Sequence, residues 1–225
     1  MPVYILGDDI VFPDPNESED TGLLAVGGDL RPERLLLAYS SGIFPWYSED
    51  DPILWFSPDP RLIFELTDYK PGRTLKKLIN SNRYEVRIDT DFESVIRQCA
   101  KVPRTGQSGT WITDEMISAY MKLYELGYAH SFETYENEKL VGGLYGVSLG
   151  KAFFGESMFH IRKDASKIAF HFLIEKCRQL NFSFIDSQVP NEHMKQMGCV
   201  EISRGYFLNR LKESMSVSTV KGRWS

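Results

Sequence analysis

Between Ala129 and Gly155 three runs of strand-forming residues follow one another with almost no chain between them. The first, Ala129–Glu136, reaches the second, Lys139–Ser148, through the turn Glu136-Asn137-Glu138, and Leu149-Gly150 joins the second to a third, Lys151–Gly155. Links this short leave no room for a crossover helix, so the three strands pair antiparallel as a meander. Before it, Thr113 is placed to cap a helix that carries Met116, Ile117, Tyr120 and Tyr124 on one stripe and stops at Gly127. After it the pattern predicts a helix over Ser166–Leu180, a strand over Phe182–Ser187, a short helix over Asn191–Met197 and a last strand from Val200.

Upstream, the text between Pro60 and the capped helix reads as a strand at Leu62–Leu66, a helix at Thr74–Asn80, a strand at Tyr84–Ile88 and a helix at Phe92–Cys99. Residues 1–60 differ in kind. They are dense in turn formers (FPDPN, GGDLRP, FPW, SPDP) around one helix, Pro32–Ser41, which Pro32 starts and Gly42 stops. Their aromatics Phe44, Trp46, Tyr47, Trp55 and Phe56 are most simply the core of a small lobe. A length of 225 residues allows about one and a half ordinary domains. The expectation is an α+β protein: a small N-terminal α/β domain over 1–60 and a larger one over 61–225. The element order of the larger part resembles the GNAT acyltransferase fold, whose central sheet is mixed and whose adjacent parallel strands splay to open a cleft. Here those strands would be Lys151–Gly155 and Phe182–Ser187.

The net charge of −5 is unevenly spread. Residues 1–60 carry −10, 61–110 carry +4, 111–160 carry −4 and 161–225 carry +5. Lys70, Arg73, Lys76, Lys77, Arg83 and Arg87 fall close together, and on a helix Arg73, Lys76 and Lys77 share a face. This is either a phosphate-facing patch or a solvated surface. Cys99, Cys177 and Cys199 form neither a disulfide framework nor a zinc motif and fit a reducing compartment. No basic leader precedes the first apolar stretch and no membrane-length apolar run occurs, so a cytoplasmic protein without membrane contact is expected.

Acyltransferases of the GNAT kind that use acetyl-coenzyme A cradle its pyrophosphate in a glycine-rich loop; the corresponding stretch here, SMFHIRKDASK, has no glycine. Coenzyme A is therefore not expected. Gly155-Glu156-Ser157-Met158 resembles half a nucleophile elbow, but Phe159 stands where glycine is required. His130, His160, His171 and His193 lack metal-ligand spacing, and no metal or other cofactor is expected. What remains is a pair of strand ends, Phe153, Gly155 and Glu156 on one and Ile185, Asp186 and Gln188 on the other. With period two, Asp186 and Gln188 point the same way, either into a cleft floored by Phe153 and Met158 or into solvent.

The strings GLLAVGGDL, GIFPWYSEDDPILWFSPDPR, GTWITDEM, LVGGLYGV, FFGESMF, ASKIAF and FIDSQVPNEHMKQMG occur in this order and together closely resemble the leucyl/phenylalanyl-tRNA-protein transferase family, over about Phe12 to Leu211. The resemblance implies an aminoacyltransferase of the N-degron pathway. It would move Leu or Phe, and Met less well, from aminoacyl-tRNA to the α-amino group of proteins beginning with Arg or Lys, marking them for degradation. It implies a GNAT-like domain without coenzyme A, and it turns the basic patch toward a tRNA backbone. By position it assigns catalysis to Asp186 and Gln188 and a polar site role to Glu156. It sets Tyr39, Trp46, Trp111 and Tyr120 near the 3′-terminal adenosine, and Leu144, Phe153, Met158, Leu173 and Ile185 round the aminoacyl side chain. Some family members carry methionine at 144 and phenylalanine at 173, so the outline of this pocket is its own.

The chemistry implied is undemanding: an aminoacyl ester is already activated, and holding a free amine against it is the main task. Gln188, a neutral amide, is too weak a base to take the amine's proton. Asp186 either fixes Gln188 or accepts that proton. Two other readings stand beside this one, an acetyltransferase with an unusual donor site and a tRNA- or degron-binding module without catalysis.

Overall fold

In the first sixty residues, turn formers punctuate short strands. The computed structural model describes residues 3–67, 69–102 and 111–225; Gly109 and Thr110 of the GTWITDEM string lie outside them. Strands β1 (Tyr4–Leu6) and β2 (Leu23–Gly27) precede helix α1 (Pro32–Ser40), and β3 (Phe44–Pro45) and β4 (Leu54–Phe56) follow it. The four strands form one mixed sheet in the order β1–β2–β4–β3. The sequence predicts the helix to within a residue but not the strands, each of which is five residues or shorter.

From Arg61 onward a second mixed sheet takes over. In chain order its elements are β5 (Arg61–Glu65), α2 (Arg73–Ile79), β6 (Glu85–Ile88), α3 (Phe92–Lys101), α4 (Asp114–Glu125), β7 (Ala129–Glu136), β8 (Lys139–Leu149), β9 (Ala152–His160), α5 (Ala165–Gln179), β10 (Phe184–Gln188), α6 (Glu192–Gln196), β11 (Val200–Ile202) and α7 (Arg204–Met215). The seven strands lie in the order β11–β5–β10–β9–β8–β7–β6. Thr113 caps α4 as expected, its hydroxyl accepting from Met116 N–H (3.2 Å). The expected meander is β7–β8–β9, and its first turn is built by Asn137 and Glu138, both in the left-handed region that a two-residue hairpin requires (φ 50° and 59°).

Two expectations need correction here. The third meander strand does not stop at Gly155 but runs on to His160, because a β-bulge resets its alternation. The chain also does not finish on a strand: Ser203 caps a further helix, α7, which buries Phe207, Leu211 and Ser214.

The bulge lies where β9 faces β8. Gly155 pairs with Gly146 and Ser157 with Tyr145, which leaves Glu156 as the extra, unpaired residue. Its consequence is visible in the packing. Phe154 and Phe159, five positions apart, join the apolar cluster shared with α1, α3 and α4, whereas Phe153 and Met158 join the cluster beneath α5. Strict alternation would have put Met158 with Phe154. The parallel neighbours β9 and β10 are paired at Ala152–Phe184, Phe153–Ile185 and Phe154–Asp186. Among the described residues no helix is long and apolar enough to cross a membrane.

Candidate active site

The catalytic candidates meet where that pairing ends. Glu156, released from the ladder by the bulge, turns toward α1 and α4: Tyr39 Oη donates to its Oε1 (2.8 Å) and Tyr120 Oη to its Oε2 (3.0 Å), and the two tyrosine oxygens lie side by side. A third donor arrives from β10, where Gln188 Nε2 reaches Oε1 at 2.8 Å. Burial pushes the Glu156 carboxyl up to about 7 against the pull of these three donors, with Asp186 adding a smaller push in the same direction. Burial, and next the Glu156 charge, hold both tyrosines well above the usual phenol range.

Gln188 is held in an unusual way. Its φ is +63°, a left-handed conformation that glutamine rarely adopts, and the register of β10 against β5 shifts between Asp186 and Gln188. The plain alternation expected for this pair is thus replaced by an irregularity at Ser187. Asp186 pins the irregular turn by accepting the Gln188 backbone N–H on Oδ1 (2.9 Å).

Asp186 itself is wholly buried and gripped by Arg61: Nε to Oδ1 at 2.9 Å and Nη2 to Oδ2 at 2.6 Å. This fork geometry is the strong form of the Arg–carboxylate pair. Arg61 donates through Nη1 to the Gly42 carbonyl (3.1 Å), and its guanidinium packs over the rings of Phe44 (4.8 Å) and Phe207 (4.5 Å). Sequence reasoning does not single out Arg61. The available signal is an arginine opening the apolar run Leu62–Phe64, since a cation in a buried strand demands a buried anion.

The remaining assignments divide between the two faces of the sheet. Leu144, Phe153, Leu173 and Ile185 share one packed cluster on the α5 face, each no more than 3 % exposed, with Met158 partly buried against it. Gly155 adjoins them: a Cβ there would sit 3.6 Å from the Asp186 carbonyl oxygen and 4.0 Å from Ile185. Tyr39 and Tyr120, expected near an adenosine, are fully buried against Phe154 and Tyr145, with their hydroxyls on Glu156. Trp46 is partly buried against Phe56, and Trp111 is buried in the same apolar cluster.

The basic patch is also sorted by the structure. Arg83 pairs with Glu136, and Arg87 with Glu85 and Glu138. These exposed pairs neutralise two of the six cations locally. Lys70, Arg73, Lys76 and Lys77 are exposed, with no salt bridge among the described residues, on and just before α2, which packs against α5. Within the described residues no group of three or more His, Cys, Asp and Glu side chains is arranged to hold a metal.

Residues 63–212 match a family described as leucyl/phenylalanyl-tRNA protein transferase, and residues 28–59 match the N-terminal domain of the same family. A leucyl/phenylalanyl-tRNA–protein transferase of Anaeromyxobacter sp. (strain Fw109-5) is 54 % identical over 224 residues, covering all of this chain and 95 % of that protein. One from Myxococcus xanthus (strain DK1622) is 52 % identical over 227 residues, covering all of this chain and 97 % of its own. Among solved structures, L-PGS from Bacillus licheniformis is distantly similar, at 13 % identity and a TM-score of 0.42 over 76 % of this chain and 55 % of that one.

Proposed function

The chain belongs to the leucyl/phenylalanyl-tRNA protein transferase family and is an aminoacyltransferase, moving leucine or phenylalanine from aminoacyl-tRNA to proteins; from that premise we propose that its acceptors are proteins beginning with Arg or Lys. We further propose that it uses Met less well, and that it works in the cytoplasm to mark those acceptors for N-degron degradation. The observation that carries the site assignment is the Glu156 carboxyl, which burial pushes up to about 7 and which three hydrogen-bond donors fix in place beyond the end of the β9–β10 pairing.

In this reading the acceptor's α-ammonium gives its proton to Glu156, and the freed nitrogen attacks the ester carbonyl carbon. The C–N bond forms as the C–O bond to the terminal ribose breaks, the second proton shed by the attacking nitrogen goes to the leaving ribose oxygen, and Glu156 afterwards returns its proton to solvent. An α-amino group ordinarily titrates at about 7.7–8.0, so a carboxyl near 7 is a well-matched partner. Gln188 presents its amide to the amine and to Glu156. Asp186 is wholly buried with its charge matched by the forked Arg61 guanidinium, and its Oδ1 also holds the Gln188 backbone, which favours fixing Gln188 over taking the proton. Positioning of this kind is worth roughly 7–11 kcal/mol of a barrier.

The aminoacyl side chain would enter the cluster of Leu144, Phe153, Met158, Leu173 and Ile185, and Lys70, Arg73, Lys76 and Lys77 would hold tRNA phosphates beside α5 on the same face of the sheet. We read the seven-stranded sheet as GNAT-like, with its cleft beyond Phe154 and Asp186, and place a domain boundary near residue 60, where one sheet gives way to the other. The test is transfer of labelled leucine from charged tRNA to peptides that differ only in their first residue. Arg- and Lys-starting peptides should accept it and an Ala-starting peptide should not; equal acceptance by all three sinks the acceptor assignment.

A further inference from the structure

Residues 217–225 fold back across one end of the meander. Thr219 Oγ1 accepts from the Gly150 N–H at 2.9 Å, and the Gly222 N–H donates to the Gly127 carbonyl at 3.1 Å. The second contact is backbone against backbone: a Cβ on Gly127 would stand 2.4 Å from the Gly222 nitrogen. Lys221 lies over the ring of Tyr128 (4.6 Å) and Arg223 over that of Tyr124 (5.8 Å). The strap ends by inserting Trp224, 5 % exposed, into the cluster beneath α5. Its N–H donates to Asp89 Oδ2 (2.7 Å) and its carbonyl accepts from Lys176 Nζ (2.5 Å), while the indole stacks on His130 at 3.8 Å.

The indole also meets Phe153, ring centroids 5.9 Å apart. Phe153 has no slack toward β8, because a Cβ at Gly146 would come within 2.6 Å of its ring. Trp224 is thus a bulky group packed against Phe153 within the cluster beneath α5. We propose that Trp224 is a specificity-determining positioning residue, closing the deep end of the aminoacyl pocket by bracing Phe153. This rests on the assignment of the pocket made above. It follows that the depth available to a Leu or Phe side chain is set by a residue some seventy positions from the strand that lines it.

The experiment compares the unmodified chain with Trp224→Ala and Trp224→Phe, with leucine and phenylalanine charged onto one tRNA body and an Arg-starting peptide as acceptor. Trp224→Ala should raise the Phe-to-Leu ratio of kcat/KM by roughly tenfold, the scale on which a hydrophobic pocket discriminates shapes. The change should sit mainly in KM, and Trp224→Phe should restore most of the original ratio. If both substrates fall in parallel and the ratio stays within about twofold, scaled by the folded fraction from circular dichroism, Trp224 is structural only and the proposal is overturned. Should Trp224→Ala not fold, Trp224→Leu is read by the same criterion. An unmodified chain that transfers neither residue defeats the pocket assignment itself, whereas transfer with an unmoved ratio defeats only the bracing role.

Discussion

Glu156→Gln separates stability from catalysis at one atom pair. Burial lifts the Glu156 carboxyl from 4.5 to about 7, so between those values the folded protein holds a proton that the unfolded chain has released. Stability from this group is therefore complete below about pH 4.5 and is lost as pH rises through about 7. The shift of about 2.5 pK units corresponds to at most roughly 3 kcal/mol at 1.36 kcal/mol per unit, an upper limit because Glu156 is only partly buried and solvent screens it.

Glutamine keeps the shape and never ionises. The variant should melt with the unmodified protein near pH 4.5 and pull ahead as pH rises, levelling off above pH 7 at a Tm gain of up to roughly 6–12 °C for a chain of this size. Single-turnover transfer should move the other way: the unmodified enzyme gains rate through an apparent pKa near 7, and the variant loses that rise. The assay is thermal denaturation by circular dichroism from pH 4 to 9, paired with transfer to an Arg-starting peptide. A Tm difference that stays constant across the range would show that Glu156 does not titrate there, and both its buried-carboxyl energetics and its role as proton acceptor would fall together.

Three further outcomes follow from the surrounding contacts. Arg61→Met strands the buried Asp186 carboxylate and should cost about 3–5 kcal/mol in denaturant unfolding, most of which the double change Arg61→Met with Asp186→Leu should restore; a cost under about 1 kcal/mol for the single change would show the pair to be exchangeable. Gln188→Gly accepts φ +63° without strain and should leave the fold as stable or about 1 kcal/mol more so, while transfer collapses for want of the amide; retained transfer would remove Gln188 from the mechanism. Lys76→Ala with Lys77→Ala should lower the slope of log affinity for charged tRNA against log salt by roughly 0.7–0.9 per lost phosphate contact, and Arg83→Ala, already paired with Glu136, should lower it less. Equal slopes in all variants return the patch to ordinary surface.

The legible parts of this chain are those where one local signal acts alone. Thr113 reads as a cap because its hydroxyl answers an orphan N–H three residues on, and Asn137-Glu138 reads as a hairpin because two residues leave no other connection. The strand β9 reads wrongly past Gly155 because the bulge at Glu156 breaks period two, and nothing in the string GESMFH announces a bulge. Helix α7 escapes because it opens on Arg204-Gly205 and buries only Phe207, Leu211 and Ser214. For the site, alternation nominates Asp186 and Gln188, yet what brings them together is a register shift and a left-handed turn. Arg61 needs the pairing of β5 with β10, a contact across more than a hundred residues that no local pattern carries.

The two irregularities, the bulge at Glu156 and the left-handed Gln188, lie on neighbouring strands past their last paired residues, and their side chains bond directly. Each breaks a local preference at a cost of order 1–3 kcal/mol, and such departures persist where surrounding contacts over-determine them. Those contacts form a closed circuit here. Tyr39 in α1 holds Glu156, Glu156 holds Gln188, Asp186 holds the Gln188 backbone, Arg61 holds Asp186, and Gly42, three residues after Tyr39, accepts from Arg61. Two members of the circuit come from the first sixty residues and the rest from the larger sheet. The change of sheet near residue 60 is therefore not a division of the chemistry. A chain cut there would lose a donor to Glu156 and the carbonyl that anchors Arg61, and with them the restraint that keeps both strained positions in register. The small lobe is in this sense a wall of the site. Its −10 charge contrasts with the exposed cations of α2, a polarity consistent with the tRNA contact proposed there.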